Sequence, residues 1–454
     1  MSKDERLWSR FQPLAGSWEA TEAFMLYIDE VPAGLKGFFG AATAQVSKPQ
    51  EYWLTVATLA AAVGFGRRTA TAIWAMLDPE HSRTAFNDFF TNSPWPAPAV
   101  LRSATLHVLA EMKLRPGERI DVIIDGTQKA KRGLKMDGLG WVCEAGSKEW
   151  RKGHRLLLCY LLVRGVMLPW AVDLYLSEKF LKTGQGRELR DRLPAVKFRT
   201  LNEMTAEMIA GLPTEWEGRF EVRCIMDSGF CNATACLPAV RRGFKYFVAA
   251  QSTRKLGKST RSGRRGKRVK LGDYAPGRLR YQGRDVILPP KHAGGKPRRF
   301  RVAETVGTVK GLGEVKAVFS RRESDGNVLC LVTNDLAADA REVAEAYGWR
   351  WEIEVAIKGL KGRLGLGQYQ CRYYEGTVHH LHLSLLAHLL LTTAELQRRG
   401  SRRTSKCAAL QLPSLRDLQN RLRQDLWQNL LGQLRPKCSD HSILDRLERA
   451  LLAS

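Results

Sequence analysis

Residues 120–250 alternate apolar runs with helical stretches, and this order limits the folds that the chain can adopt. The run IDVIIDGT at residues 120–127 predicts a buried strand that ends in a turn. Two further apolar runs meet at Arg164-Gly165, as expected for a hairpin of antiparallel strands. A helix follows at residues 201–212, and then a strand at residues 221–227 that ends at an aspartate. A second helix at residues 233–242 leads to a last strand at residues 244–250. This order predicts an α/β fold in which a mixed sheet is covered by helices.

The chain is strongly basic, which favours a polyanionic partner. Its 454 residues include 72 Lys or Arg against 46 Asp or Glu, for a formal charge of +26. Nucleic acid is the commonest such partner of a basic protein. An anionic membrane surface is the competing interpretation, but the sequence shows neither an amphipathic basic helix nor a lipidation signal. We therefore expect nucleic acid as the partner, and no membrane.

Targeting signals and cysteine usage indicate a cytoplasmic protein. The N-terminal MSKDERLWSRFQ lacks the apolar core of a signal peptide, and Asp173 interrupts the apolar stretch at residues 156–176. The nine cysteines are odd in number and lack paired spacing, as expected for a reducing compartment. We interpret Cys231 and Cys236 as buried thiols rather than as metal ligands.

Much of the positive charge lies in one segment. Residues 251–301 contain seventeen Lys or Arg against two Asp. Charge of one sign at this density favours contact with nucleic acid over the alternative, a solvated loop without a partner. Strand-like runs such as VILPP and NVLCLVTND predict that residues 251–335 form a β-rich subdomain inserted into the α/β fold. The candidate DNA-binding residues of the segment are Arg264, Arg265, Lys267, Arg268, Arg298 and Arg299.

Three carboxylates are candidates for a catalytic site. Asp125 and Asp227 each follow an apolar strand and begin a turn, where an aspartate alone is usually a turn former. Together with Glu354 they are far apart in sequence, so only a folded core could gather them. Two adjacent strands carrying Asp and a flanking helix carrying Glu can bind two Mg²⁺ ions about 4 Å apart, because Mg²⁺ prefers oxygen ligands. Such a pair activates a water or a 3′-hydroxyl at a phosphodiester, and we expect Mn²⁺ to substitute.

Asp121 competes with Asp125 for the first position. It shares a strand face with Asp125 but lies four residues away, about 13 Å in an extended strand, so both cannot serve one metal cluster. Asp121 begins the strand, where a solvated charge is ordinary. We therefore choose Asp125.

The run YGWRWEIEVAIKGLK at residues 347–361 predicts one helix with two different flanks. At about 100° per residue, four polar side chains fall within a stripe about 60° wide: Tyr347, Arg350, Glu354 and Lys361. An apolar stripe lies beside it, formed by Trp349, Ile353, Ile357, Leu360 and Leu364. The alternative is an ordinary surface helix that carries a Glu354–Lys358 pair.

These residues carry a resemblance to a known family. Tyr347, Arg350, Glu354 and Lys361 match the Y-x2-R-x3-E-x6-K signature of bacterial insertion-sequence transposases of the DDE superfamily. IIDGT around Asp125 and MDSGF around Asp227 are similar to the family's first and second acidic motifs. LVTND resembles a run that often precedes the signature, and the likeness spans roughly residues 82–375.

The resemblance implies a fold, a reaction and a role for each residue. Asp125, Asp227 and Glu354 would be the Mg²⁺-binding triad of an RNase H-like core, and three further residues would hold phosphates of the transposon end: Tyr347, Arg350 and Lys361. A homodimer in a synaptic complex would bind double-stranded terminal inverted repeats and target DNA, for cut-and-paste transposition. Relatives can stack a flipped base on a tryptophan of their β-rich insertion, whereas this insertion contains no tryptophan. The alternatives are an RNase H-like nuclease without strand transfer and a non-catalytic, domesticated DNA-binding relative.

We expect five regions along the chain. Residues 1–115 form a helical, DNA-binding N-terminal domain, and residues 116–250 form the first part of the catalytic core. Residues 251–335 are the basic β-rich insertion. Residues 336–397 complete the core with the signature helix, and residues 398–454 are a helical C-terminal region. The N-terminal helices resemble a helix-turn-helix, with an ordinary helical packing domain as the alternative. In the last region, amphipathic segments at residues 415–434 and 443–452 suit self-association or packing onto the core.

Four histidines of the run HHLHLSLLAH are close enough in sequence to suggest a metal site: His379, His380, His382 and His388. No cysteine or carboxylate lies at ligand spacing from them, so we expect core or groove histidines.

Overall fold

A computed structural model describes residues 31–77, 82–144, 146–259, 265–288, 296–400 and 412–435. These residues form two compact units. One contains the described residues up to Glu111 together with those from Gly359 onward, and the other is Met112–Lys358. The amphipathic segment predicted at residues 443–452 lies outside the described residues.

Strands and helices both contribute to the described chain. The strands are β1 (Arg119–Ala130), β2 (Gly140–Val142), β3 (Arg151–Val163), β4 (Val166–Tyr175), β5 (Glu221–Met226), β6 (Lys245–Ala250), β7 (Lys255–Ser259), β8 (Arg265–Lys270), β9 (Arg284–Leu288), β10 (Arg298–Val309), β11 (Gly313–Arg322) and β12 (Val328–Thr333). The α-helices are α1 (Lys36–Thr43), α2 (Lys48–Val63), α3 (Ala70–Trp74), α4 (Arg83–Thr91), α5 (Ala97–Glu111), α6 (Glu178–Leu181), α7 (Gly184–Arg192), α8 (Leu201–Ala210), α9 (Ala233–Arg241), α10 (Leu271–Gln282), α11 (Ala340–Gly348), α12 (Trp351–Arg363), α13 (Tyr374–Gly400) and α14 (Leu415–Leu434).

The Met112–Lys358 unit is built on one mixed sheet. Its strands run in the order β2-β3-β1-β5-β6-β12-β11-β10-β7-β8, with β4 paired to β3 and β9 paired to β10. The central strands β1, β5 and β6 are parallel, and the other pairings are antiparallel. Parallel strands covered on both faces are expected to be continuously apolar, as the buried runs Ile120–Ile124 and Val222–Met226 are, apart from one ion pair. The predicted α/β fold, a mixed sheet flanked by helices, is confirmed and is consistent with an RNase H-like core.

The predicted hairpin at Arg164-Gly165 is confirmed. The two residues have φ of +51° and +83° and connect β3 to β4, as the type I′ turn of a two-residue hairpin requires. Arginine rarely adopts positive φ, and here its side chain is held in place. Its guanidinium donates to Glu118 Oε1 over 2.7 Å and to the carbonyl of Met112 over 2.9 Å.

The basic insertion extends the core sheet rather than forming a separate β subdomain. Strand β12 pairs antiparallel with β6, and β11 and β10 continue outward from it. The segment also contains α10, a helix that the strand-like runs did not predict. Leu271, Ala275 and Leu279 form the buried face of α10, at the 3–4-residue spacing of a helix that packs on a sheet.

The other unit is helical and is organised around α13. This helix contacts α2, α4, α5 and α14, and most of its residues are buried. The described N-terminal residues are helical as predicted, with α2 and α5 as their longest helices, and the amphipathic segment predicted at residues 415–434 forms α14. The second helix of the expected helix-turn-helix is only five residues long, so DNA binding by this region stays a prediction. Within the part of the chain that the structure describes, every helix is too short or too polar to cross a bilayer.

Buried histidines on α13 are part of this core, as predicted. His379 Nδ1 lies 2.8 Å from the carbonyl of Phe90, and its ring stacks on Trp95 at a centroid distance of 4.5 Å. His382 Nδ1 lies 2.8 Å from the carbonyl of Val378. Burial lowers the pKa of His382 to about 4, so this ring is neutral at pH 7. The histidines are structural.

Three side chains cap the C-terminal end of α2. The last carbonyls of a helix lack partners within the helix. Arg68 Nε donates to the carbonyl of Ala61 over 2.9 Å, and Gln419 Nε2 donates to that of Ala62 over 2.7 Å. Arg423 donates to the carbonyls of Val63 and Gly64 over 2.6 and 2.7 Å. Residues from α14 thereby stabilise the end of α2.

We expect Arg423→Met to destabilise this helical unit. The change leaves the carbonyls of Val63 and Gly64 without the Arg423 donor, which costs about 1–3 kcal/mol of unfolding free energy. Urea unfolding measures the decrease, and hydrogen exchange of α2 locates it. Arg416→Met, at an exposed position on the same helix, is the matched control and should change stability by less than about 0.5 kcal/mol. Equal effects of the two changes would contradict the capping role.

Candidate active site

The parallel pairing of β1 with β5 brings two of the predicted catalytic residues together. Ile124 lies opposite Met226 in the register, so the next residues, Asp125 and Asp227, occupy equivalent positions on neighbouring strands. Strand β5 ends at Met226, and Asp227 precedes the 3₁₀-helix Ser228–Phe230, as predicted for a strand end. The turn predicted at Asp125 is wrong, because β1 continues through this residue to Ala130, paired with β3. Both aspartates are half-buried at this edge of the core.

Arg350 joins Asp125 to the third carboxylate. Its Nη1 lies 2.6 Å from Asp125 Oδ2, and its Nη2 donates to Glu354 Oε1 in a short contact. The other Asp125 oxygen, Oδ1, accepts a hydrogen bond of 2.7 Å from the backbone N–H of Gly126. The Arg350 side chain is only 17% exposed, so water screens this contact weakly. One guanidinium therefore holds the strand carboxylate and the helix carboxylate together.

Tyr347 completes the connection to Asp227. Its hydroxyl donates to Asp227 Oδ1 over 3.3 Å, and the Arg350 guanidinium lies 5.7 Å from the Tyr347 ring centroid. Five of the residues predicted from sequence are thus brought into one cluster: Asp125, Asp227, Tyr347, Arg350 and Glu354.

The prediction of one continuous helix through these residues is wrong. Helix α11 ends at Gly348 and α12 begins at Trp351. Between them, the N–H of Arg350 bonds to the carbonyl of Tyr347 and the N–H of Ile353 to that of Arg350, the three-residue spacing of a 3₁₀ turn. Three residues complete such a turn, so Tyr347 and Arg350 project on the same side. The predicted apolar stripe is buried at Ile353, Ile357 and Leu360 of α12 and at Leu364, which directly follows the helix, whereas Trp349 is half-buried.

Burial and neighbouring charges set the protonation of the cluster. Burial raises the pKa of Asp125, the Arg350 guanidinium and the Gly126 N–H oppose this, and Asp227 and Glu354 raise it further by repulsion. Burial disfavours the charge on Arg350, but Tyr347 and the three carboxylates together raise its pKa. Asp125 is therefore repelled by both other carboxylates, and the positive charge of Arg350 offsets this repulsion.

The donor chemistry of this cluster fits a hard divalent cation, because three carboxylates supply oxygen ligands. Among the described residues, no three His, Cys, Asp or Glu side chains lie close enough together to hold a metal ion as they stand. Arg350 supplies the positive charge between Asp125 and Glu354.

Asp121 is structural, and the expectation that it is a solvated charge is wrong. It is 4% exposed and forms a two-pronged ion pair with Arg223, its cross-strand partner on β5. The two distances, Nε to Oδ1 and Nη2 to Oδ2, are 2.6 and 2.8 Å. Both oxygens of Asp121 are used by this pair, so the choice of Asp125 for the cluster agrees with the geometry.

A cavity of about 750 Å³ adjoins the cluster. Its lining includes Tyr347 and Arg350 together with predicted DNA-binding residues Arg298 and Arg299 of β10. Arg322 of β11 also lines the cavity, and sequence reasoning missed it. The signal was the adjacent pair Arg321-Arg322, which directly follows the strand-like run EVKAVFS at residues 314–320. The concentration of guanidinium groups makes this cavity suited to a phosphate backbone.

The other predicted DNA-binding residues do not line this cavity, and one of them lies outside the described residues. Arg268 is exposed on β8, the edge strand at the far end of the sheet from β2, and Arg265 and Lys267 are on the same strand. Arg264 lies outside the described residues. Lys361 is half-buried on α12, seven residues beyond Glu354 and about 10 Å further along the helix.

Comparison with protein families identifies the enzyme. A family model described as "DDE superfamily endonuclease" matches residues 43–286, more than half of the chain, and one described as "Transposase DDE domain" matches residues 201–390. The chain belongs to the DDE superfamily. It is a DDE transposase enzyme that acts on DNA. The first match contains Asp125 and Asp227, and the second contains Asp227 and Glu354.

Enzymes of this superfamily generally use divalent metal ions, in keeping with the three carboxylates of the cluster. A search of curated proteins finds no relative of this DDE enzyme.

Arg223→Met tests the structural role of Asp121. It leaves a buried carboxylate without its partner, which we expect to lower the unfolding free energy by about 3–5 kcal/mol in urea titrations. The double variant Asp121→Leu/Arg223→Leu should be destabilised less, because no charge remains buried. Lys182→Met, which removes an exposed cation, is the control and should stay within about 0.5 kcal/mol of the wild type. A decrease below about 1 kcal/mol for Arg223→Met would contradict the buried-pair account.

Proposed function

We propose that this DDE enzyme is the transposase of a bacterial insertion sequence, with Asp125, Asp227 and Glu354 as its catalytic triad. The observation that carries the proposal is the convergence of these carboxylates around Arg350 and Tyr347. The spacing of Tyr347, Arg350, Glu354 and Lys361 supports membership of the insertion-sequence group. The enzyme would bind terminal inverted repeats, cut the element free and join its 3′ ends to target DNA.

The triad would hold divalent cations, two Mg²⁺ ions in this proposal. When bound, they supply an activated water or 3′-hydroxyl and offset charge on the leaving oxygen. The β1–β5 register supports this assignment because it places Asp125 and Asp227 side by side. Glu354, on a separate helix, approaches them from the Arg350 side.

Arg350 would change partners when metal and DNA bind. In the structure it neutralises Asp125 and Glu354, and its planar guanidinium can equally bind a phosphate through two parallel hydrogen bonds. Release from the carboxylates would free them for the metal and direct the guanidinium to the DNA backbone. Tyr347 would then hold the same phosphate from the neighbouring turn, with Lys361 further along α12.

The basic cavity supports a path for DNA next to the triad. Arg298, Arg299 and Arg322 line it together with Tyr347 and Arg350. In this proposal the helical unit contributes further DNA contacts, and two copies of the chain form the synaptic complex in the cytoplasm. The charge of the insertion favours these contacts through release of counterions from the DNA.

Conservative changes to the triad test the proposal. Asp125→Asn, Asp227→Asn and Glu354→Gln keep the side-chain shape but remove the negative charge. Each should reduce Mg²⁺-dependent cutting of a terminal-repeat duplex by more than about 100-fold, because residues that only support metal ligands are already worth 10–100-fold. Asp191→Asn, at an exposed position, is the control and should cut at the wild-type rate.

The same reaction distinguishes a transposase from a nuclease. Products in which the element's 3′ ends are joined to a second duplex are expected from the wild type. Cutting without joined products would instead support an RNase H-like nuclease. Undiminished cutting by any triad variant would remove that residue from the site.

Arg350→Met tests whether the guanidinium competes with the metal. In the DNA-free protein the variant should bind Mn²⁺ several-fold more tightly, because the carboxylates no longer give up an ion pair when the metal enters. Titration calorimetry or electron paramagnetic resonance of Mn²⁺ measures the dissociation constant without relying on activity. Arg341→Met, an exposed change on α11, is the control. Weaker Mn²⁺ binding by Arg350→Met would show that the guanidinium supports the site rather than competing for it.

A further inference from the structure

The β2–β3 hairpin, described at residues 140–144 and 146–153, exposes two tryptophans that the active site does not use. Trp141 is 58% exposed and Trp150 is 63% exposed. A buried anchor keeps the hairpin in place, because Val142 on the opposite face is 2% exposed and packs over Gly153. Large exposed aromatic side chains on a fixed element are typical of binding surfaces.

Hydrogen bonds tie this hairpin to β1, the strand of Asp125. The N–H of Cys143 donates to Gln128 Oε1 over 2.9 Å, and the N–H of Ala130 donates to Glu144 Oε1 over 3.2 Å. Glu144 also forms an ion pair of 3.4 Å with Lys129. The position of the hairpin relative to Asp125 is therefore set by the strand itself.

The register places one tryptophan on the same face of the sheet as Asp125. Residues opposite each other in antiparallel strands share a face, and so do alternate residues of one strand. Asp125 lies opposite Leu158 of β3, and Trp141 lies opposite Lys152 of β3. Leu158 and Lys152 are six residues apart, so Trp141 shares the face of Asp125 at a distance of about 20 Å along the sheet.

Cations surround the exposed rings. Residues 128–153 contain seven Lys or Arg against three Asp or Glu. Lys152 Nζ lies 4.8 Å from the Trp141 ring centroid, and Lys148 is exposed near the tip of the hairpin. Aromatic rings flanked by cations match a nucleic-acid backbone, with cations on phosphates and rings against sugars or bases.

We propose that this hairpin is a second DNA-contact site, which holds the duplex about six base pairs from the bond that is cut. The spacing follows from about 20 Å of sheet and a rise of about 3.4 Å per base pair. The position along the DNA rests on the proposed function, whereas the contact itself does not. DNA is favoured over a second copy of this chain because residues 128–153 and the chain as a whole are both basic, so two such surfaces would repel each other.

The first experiment measures DNA affinity without cleavage. Fluorescence anisotropy of a 40-base-pair random-sequence duplex in EDTA compares the full chain with Trp141→Ala/Trp150→Ala and Lys148→Ala/Lys152→Ala. Each double variant should bind about tenfold more weakly. The lysine variant should also reduce the slope of log K against log salt by about one for each phosphate that the chain no longer binds. Phe198→Ala and Lys182→Ala, an exposed aromatic and an exposed lysine elsewhere on this unit, are the matched controls.

The second experiment locates the contact. A photo-crosslinking p-azidophenylalanine in place of Trp141 should capture a terminal-repeat duplex about six base pairs from the cut. Affinity and salt slope within twofold of the controls would overturn the proposal, as would crosslinks to a second protein chain in place of DNA. If the hairpin variants bind DNA more weakly but the wild type cuts no terminal repeat, the DNA contact is supported and the proposed transposase activity is refuted. Failure of the hairpin proposal can therefore be distinguished from failure of the proposed function.

Discussion

The buried ion pair between Asp121 and Arg223 is the interaction on which the arrangement of the site depends. These residues face each other across the parallel strands β1 and β5, with both side chains 5% exposed or less. Removing either charge would leave the other uncompensated in a low-dielectric core, so a pairing that separates them is strongly disfavoured. The pair thus fixes the register in which Asp125 and Asp227 become neighbours immediately after the two apolar runs. A slip by one residue would send every side chain of one strand to the opposite face.

With the strand carboxylates fixed, their repulsion must be offset. The charges of Asp227 and Glu354 repel that of Asp125. The guanidinium of Arg350, which is mostly shielded from water, attracts Asp125 and so offsets this repulsion. A cation in this position offsets the repulsion among the carboxylates. Among the described residues, no group of three Asp, Glu, His or Cys side chains is arranged to hold a metal ion. In the proposed function, metal and guanidinium would therefore compete for the same oxygens, and Arg350 would have to leave before a metal ion could enter.

Local sequence patterns predicted the core of the fold but not its long-range pairings. The apolar runs that precede Asp125 and Asp227, and the turn at Arg164-Gly165, are local signals, and the strands and the hairpin were confirmed. The turn predicted at Asp125 was wrong, because pairing with β3 extends β1 to Ala130. The burial of Asp121 was missed because its partner Arg223 lies about a hundred residues away in the chain and becomes adjacent only through parallel pairing. Arg322 was missed for the same reason. Its position in the cavity depends on the packing of the insertion against α11, which lies further along the chain. Helix α10 was missed because Pro276 and several glycines weaken its helical pattern, while packing on the sheet stabilises it.

The break between α11 and α12, which was wrongly predicted to be continuous helix, determines how Tyr347 and Arg350 are oriented. A continuous α-helix would separate Tyr347 and Arg350 by about 60° around the axis, whereas the 3₁₀ turn aligns them. Aligned in this way, the tyrosine contacts Asp227 while the arginine reaches both Asp125 and Glu354. Each of the two aspartates therefore has its own partner from one short turn. In the proposed function, this turn would pass the phenol and the guanidinium to a phosphate together, which would couple arrival of the DNA to release of the metal-binding oxygens.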